Sequence, residues 1–183
     1  ALVTGGSRGL GLAMAHALGD MGAKVAITAR KADELEDAIT QLRARGIQAE
    51  SFVNDLAKQE TIGPMVEAVV GKLGPIDIYC SNAGIAVGVG LGENADWEAS
   101  WRVHGMAHVN AAREVLPGMA ARGRGAFVVT ASAAGLLMMM QSAAYTATKH
   151  ASVAIAEWLA VNYGGTGVQF HCLCPQGVRT PMV

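Results

Sequence analysis

The chain has 183 residues, 51% of them apolar, 16% charged and 5% aromatic, with 23 glycines that follow no fixed repeat; this composition excludes disorder, collagen and coiled coil and suffices for one buried core. Fourteen basic residues against 15 acidic ones give a formal charge of −1 with no basic tract, which argues against a nucleic-acid partner. No uncharged apolar run reaches about 18 residues, so the expectation is a soluble, cytoplasmic protein with no membrane partner.

Short β-rich runs alternate along the chain with longer segments of helical period. The first strand, 1–4, starts without a methionine and leads through Thr4-Gly5-Gly6-Ser7-Arg8-Gly9-Leu10-Gly11 into a helix over 9–22. A glycine-rich turn that opens a helix lets an anion approach backbone N–H groups, which marks a dinucleotide cradle, although the spacing is Gly-x-x-x-Gly-x-Gly. Strand 24–29 ends at Arg30 and Lys31, where a fold preferring NAD carries an acid for the ribose hydroxyl. No acid stands there, and Arg8 and Arg30 are read as converging on a ribose 2′-phosphate, because guanidinium groups bind phosphate through paired hydrogen bonds.

Helix 31–45, strand 47–53, helix 57–73 and strand 76–80 continue the pattern, followed by helix 96–122, strand 125–131, helix 143–164 and strand 167–173. Repeated β-α with near-continuously apolar strands predicts a single α/β domain, a doubly wound parallel sheet of six strands, with its ligand at the carboxyl ends of the strands. Helix 143–164 is apolar on most faces and is expected to be buried on most. Cys80, Cys172 and Cys174 lie in or beside apolar runs and read as reduced, buried thiols; neither Cys-x-Cys nor the pair His104 and His108 has the further ligands of a zinc site, so no metal is expected.

Tyr145 and Lys149, four apart, share one face of helix 143–164, and Ser132 follows the fifth strand. A phenol titrates near about 10, and an ammonium about 4 Å away favours its ionised form by roughly 4 kcal/mol at an effective dielectric of about 20, enough for acid–base work near neutrality. Ser132 can donate a hydrogen bond to a carbonyl oxygen on which charge develops.

With these residues in place the chain resembles the short-chain dehydrogenase/reductase family along essentially its whole length. The glycine turn, with Gly5, Ser7, Arg8, Gly9, Leu10 and Gly11, matches the family's cofactor turn. Asp55 and Leu56 match the adenine-contacting segment, Asn82-Ala83-Gly84 the segment after the fourth strand, Ser132, Tyr145 and Lys149 the catalytic residues, and Pro175, Val178 and Thr180 the nicotinamide loop. The resemblance implies a Rossmann-like fold whose last strand lies beyond this sequence. It also implies an NADP-preferring oxidoreductase that interconverts a ketone and a secondary alcohol, with Tyr145 as proton donor and acceptor and with Lys149 holding the nicotinamide ribose. The partners implied are a small-molecule carbonyl or alcohol and a second copy of the chain, as homodimer or homotetramer.

Two departures accompany the matches. His104 stands where the family places a fourth catalytic residue, an Asn that completes a proton relay, with Asn110 six residues further on; Gln176 replaces a family glycine. They leave open an alternative in which the domain binds NADP as a sensor with impaired catalysis. The run Ala133 to Gln141, with Met138, Met139 and Met140, is expected to line a pocket for a lipophilic substrate or to pack against the core or a second subunit.

Overall fold

A computed structural model describes residues 1–180. Six parallel strands form one sheet in the order β3-β2-β1-β4-β5-β6, where β1 is Leu2–Thr4, β2 Val25–Ala29, β3 Ala49–Val53, β4 Ile78–Ser81, β5 Gly125–Thr130 and β6 Val168–Leu173. Helices α1 (Gly9–Asp20), α2 (Ala32–Ala44), α3 (Ile62–Leu73), α4 (Asn94–Trp101), α5 (Ala107–Ala121) and α6 (Ala143–Tyr163) connect them. The strand order runs outward from β1 in both directions, which opens a crevice beside the carboxyl ends of β1 and β4.

Strand alternation divides the interior into two cores. Leu2, Ala26, Tyr79 and Phe127 join residues of α3, α5 and α6 on one face, whereas Val3, Val25, Ile27 and Cys80 meet α1 and α2 on the other. Because side chains alternate at period two and helices cover both faces, such strands are apolar at nearly every position. On the first face the Tyr79 and Phe127 rings stack at 5.2 Å; on the other, α2 buries Leu35, Ala38, Ile39 and Leu42 at the three-and-four spacing.

The elements fall where the sequence places them, with shifts at their ends. Helix α3 begins at Ile62 rather than 57, because Asn54 Nδ2 donates to the Thr61 carbonyl (3.0 Å) and Asp55 Oδ1 accepts from Ala57 N (3.1 Å), local bonds that compete with helix. The expected helix 96–122 is α4 and α5 joined through one π-helical turn, Arg102–Met106, and begins earlier because the Asp96 carboxylate accepts from Glu93 N (2.9 Å). Burial of α6 is less complete than its composition suggests: Thr148, Lys149, Ser152, Ala156 and Leu159 face inward, whereas Trp158 and Val161 are exposed. Cys80 is buried as expected, but Cys172 and Cys174, near the end of the outer strand β6, are only half-buried, their sulfurs 3.9 Å apart. Among the described residues no helix is long and apolar enough to cross a membrane.

Candidate active site

A cleft of about 350 Å³ lies at the carboxyl ends of the strands. Every residue expected to touch a dinucleotide lines it: Gly5, Ser7, Arg8, Gly9, Leu10 and Gly11 after β1, Arg30 after β2, Asp55 and Leu56 after β3, Asn82, Ala83 and Gly84 after β4, Tyr145 and Lys149 of α6, and Pro175, Val178 and Thr180 beyond β6. Ser132 and Gln176 lie there as well, whereas His104 sits behind the wall.

The glycine turn is held by close approach. A side chain on Gly11 would collide with the Gly5 carbonyl oxygen and stand 2.7 Å from Asn82 Nδ2, and Gly9 opens α1 at φ +56°, in the left-handed region. Arg8, at the N-cap of α1, makes no side-chain cap bond, and no acid occupies the first turn, so the leading N–H groups can receive a ligand anion. Across the crevice, Thr4 Oγ1 donates to the Cys80 carbonyl (3.1 Å) and accepts from Asn82 N (2.9 Å) and Ala83 N (3.1 Å), while Asn82 Nδ2 returns a bond to the Thr4 carbonyl (2.9 Å). These four bonds tie the exit of β4 to β1 and fix the floor of the cleft. The residues present therefore suit the pyrophosphate of a dinucleotide.

At the other end, Ser142 Oγ accepts from Tyr145 N (3.2 Å), placing Tyr145 in the first turn of α6 at the cleft wall. One turn further in, Lys149 is 3% exposed; its Nζ donates to the Thr130 carbonyl (2.9 Å) and lies 5.8 Å from the centroid of the Tyr145 ring. Burial pulls the Lys149 ammonium down to about 8, against the pull of the nearby Cys172 and Cys174 sulfurs. Ser132 Oγ accepts from Ala134 N (3.1 Å), so its hydroxyl hydrogen can point into the cleft.

His104 lies in the π-turn, wholly buried, with both ring nitrogens engaged. Ile85 N donates to its Nε2 (3.1 Å), so the ring proton of the neutral imidazole sits on Nδ1 and is donated to Thr148 Oγ1 (2.9 Å), which donates in turn to the Ala144 carbonyl (2.7 Å). Its own carbonyl accepts from Ser152 Oγ (2.7 Å), and its ring meets that of Tyr145 edge-on at 5.4 Å. Burial, reinforced by the Lys149 charge, pushes the His104 imidazole down to about 2 and keeps it neutral. Asn110, six residues beyond His104, is buried in α5, where Arg113 donates to it, and does not line the cleft. One turn along, His108 Nδ1 bonds Ser81 Oγ (2.6 Å), and burial pushes this imidazole down to about 3.

Of the places the sequence offers the run after Ser132, the cleft wall is not the one it takes, and one acid at the cleft was missed. The run after Ser132 does not line the cleft: the short helical turn Ala133–Gly135 directs the chain outward, and Leu136, Leu137, Met138 and Met140 are exposed. Conversely, an acid does stand in the cleft beside the exit of β2. Glu34, in the first turn of α2, lines the cleft, accepts from Lys31 Nζ (2.8 Å) and Ser7 Oγ (3.2 Å), and lies 3.8 Å from Arg8 Nη1. The sequence signal that marks it is an acid in the first turn of the helix after β2, favoured there by the helix dipole.

The family model for short chain dehydrogenases matches residues 1–183. A 1-deoxy-11-beta-hydroxypentalenate dehydrogenase of Streptomyces exfoliatus is 37% identical over 191 residues, a match covering all of this chain and 68% of that protein. An actinorhodin polyketide ketoreductase solved with NADPH superposes with a TM-score of 0.94 at 31% identity, over 99% of this chain and 71% of that one. A short chain dehydrogenase/reductase of Burkholderia phymatum solved with NAD gives 0.94 at 27% identity, over 99% and 66%. The glycine cradle and the Tyr145 and Lys149 pair thus belong to a nicotinamide-dependent oxidoreductase, and the chain is a member of the short-chain dehydrogenase family.

Proposed function

We propose that this domain interconverts ketones and secondary alcohols with NADP(H), Tyr145 serving as proton donor and acceptor. The observation that carries the reading is the Tyr145 and Lys149 pair on successive turns of α6, the lysine buried and the tyrosine on the cleft wall. The leading N–H groups of α1 would hold the pyrophosphate, Arg8 and Arg30 the 2′-phosphate, Asp55 the adenine, Lys149 the nicotinamide ribose, and Val178 and Thr180 the carboxamide. Such a cofactor, when bound, supplies or takes up the hydride. Ser132 donates a hydrogen bond to the substrate oxygen, Tyr145 gives that oxygen its proton, and the Lys149 ammonium stabilises the phenolate left behind. Arg30 supports the phosphorylated cofactor, since it lines the cleft with no ion pair or hydrogen bond among the described residues.

His104 serves here as a positioning residue rather than a proton carrier, because both its nitrogens are already engaged within the protein. The relatives named for a hydroxypentalenate and a polyketide support a lipophilic substrate. Trp158 and Val161, exposed on α6, support a homodimer or homotetramer built on that helix. The test is NADPH oxidation by the complete gene product with apolar and polar ketones, run beside Tyr145→Phe. We expect ketone-dependent turnover that falls by roughly 10²–10⁴ in the variant. Turnover that survives the substitution overturns Tyr145 as the acid, and NADPH binding without turnover in either protein favours the sensor reading.

A further inference from the structure

The geometry points to Glu34 as the residue that sets the choice between the 2′-phosphorylated and the unphosphorylated dinucleotide, a carboxylate standing among the groups that would hold the phosphate and keeping the cleft open to both cofactors. This rests on the dinucleotide reading above. Three donors from separate places converge on that carboxylate: the Ser7 hydroxyl of the glycine turn, the Arg8 guanidinium at the start of α1, and the Lys31 ammonium at the start of α2. Only the contact with Lys31 follows from helical spacing; the hydrogen bond from Ser7 and the ion pair with Arg8 span 27 and 26 residues (34 − 7 and 34 − 8) and exist because the turns after β1 and β2 lie side by side.

A hydroxyl, two cations and a helix N-terminus nearby are the groups that recognise a phosphate monoester, and here a carboxylate already engages the first three. A ribose 2′-phosphate arriving there must take Ser7 Oγ and Lys31 Nζ from Glu34 and leaves two anions adjacent, which is unfavourable. A ribose 2′-hydroxyl has the opposite relation to the carboxylate, to which it donates a hydrogen bond. Glu34 therefore weakens the phosphorylated cofactor and strengthens the other, while Arg8, Arg30 and Lys31 act the other way. The Lys31 hydrogen bond holds the Glu34 carboxyl below the usual carboxylate range, so its charge persists through neutral pH.

Glu34→Gln keeps the shape and removes the charge. We would titrate adenosine 2′,5′-bisphosphate and 5′-AMP, which report only on this end of the cleft, and then NADPH and NADH, against the complete wild-type and variant proteins by calorimetry. The ratio of affinities, phosphorylated over unphosphorylated, is expected to rise roughly tenfold in the variant, chiefly through tighter binding of the bisphosphate. An unchanged ratio overturns the assignment. So does a fall, which would mean that Glu34 holds Arg8 and Lys31 in place for the phosphate. The wild-type ratio separately judges the NADP preference, and the shift on substitution judges Glu34; binding of neither nucleotide to either protein removes both.

Discussion

Lys149 is where function and stability oppose each other at the scale of one residue. Its ammonium is buried against a single backbone carbonyl, and its ionisation falls from an ordinary 10.5 to about 8. Between those values the unfolded chain binds the proton more tightly than the folded one, so stability rises with pH across that window, and below about 8 the full penalty is present, roughly 3 kcal/mol at most. Lys149→Met should therefore stabilise the unliganded protein by about 1–2 kcal/mol at pH 7, the lost bond to Thr130 offsetting part of the gain, while removing turnover. Urea melts at pH 7 and pH 10 check this: the advantage should shrink at the higher pH, and a variant less stable at pH 7 would show that the ammonium is well solvated by the folded chain. The lysine itself was legible in the sequence, because its partner Tyr145 stands four residues away on the same helix. Glu34 was not, since Ser7 and Arg8 reach it only after two separate β-α turns have been brought together.

The π-turn at Arg102–Met106 shows what periodicity conceals at the scale of an element. Three-and-four spacing persists on either side of it, so the segment reads as one helix, and the extra residue that swings His104 toward α6 leaves no pattern of its own. The family resemblance marks the position of His104, but what its side chain does depends on which atoms meet Ile85 and Thr148. Gln reaches as far as the imidazole Nε2 and can accept from Ile85 N; Asn reaches only to the level of Nδ1 and leaves that N–H without a partner, a loss of about 1–3 kcal/mol. His104→Gln should thus keep turnover within a few-fold, whereas His104→Asn should lower kcat by roughly tenfold or more with little change in KM for NADPH. Steady-state kinetics from pH 5.5 to 9 would test it. The wild-type profile should show no limb belonging to His104, and an Asn variant more active than the Gln variant would exclude this positioning role.

At the scale of the molecule, the order of elements was readable because apolar alternation and three-and-four spacing are properties of the backbone period, which the sheet and its two cores merely use. What the same burial does to buried histidines is a property of the assembled fold. His104 and His108 lie one turn apart between β4 and α6, are almost wholly enclosed, and remain neutral in the folded protein down to about 2 and about 3, against 6.5 in the unfolded chain. Below 6.5 the unfolded state takes up protons that the folded state refuses, so stability is lost as pH falls through that value. The two residues together remove roughly 4 kcal/mol by pH 5, a large part of the roughly 5–15 kcal/mol that holds such a domain together. Denaturant midpoints should therefore drop steeply between pH 7 and pH 5, with unfolding at pH 5 taking up about two protons, measurable by calorimetry in buffers of different ionisation enthalpy. In the double variant His104→Gln, His108→Asn the uptake should vanish and the slope flatten, because an amide in each place keeps a hydrogen-bonding group for Ile85 N and for Ser81 without a group that titrates. A slope left unchanged by both substitutions would place the acid sensitivity in carboxylates instead.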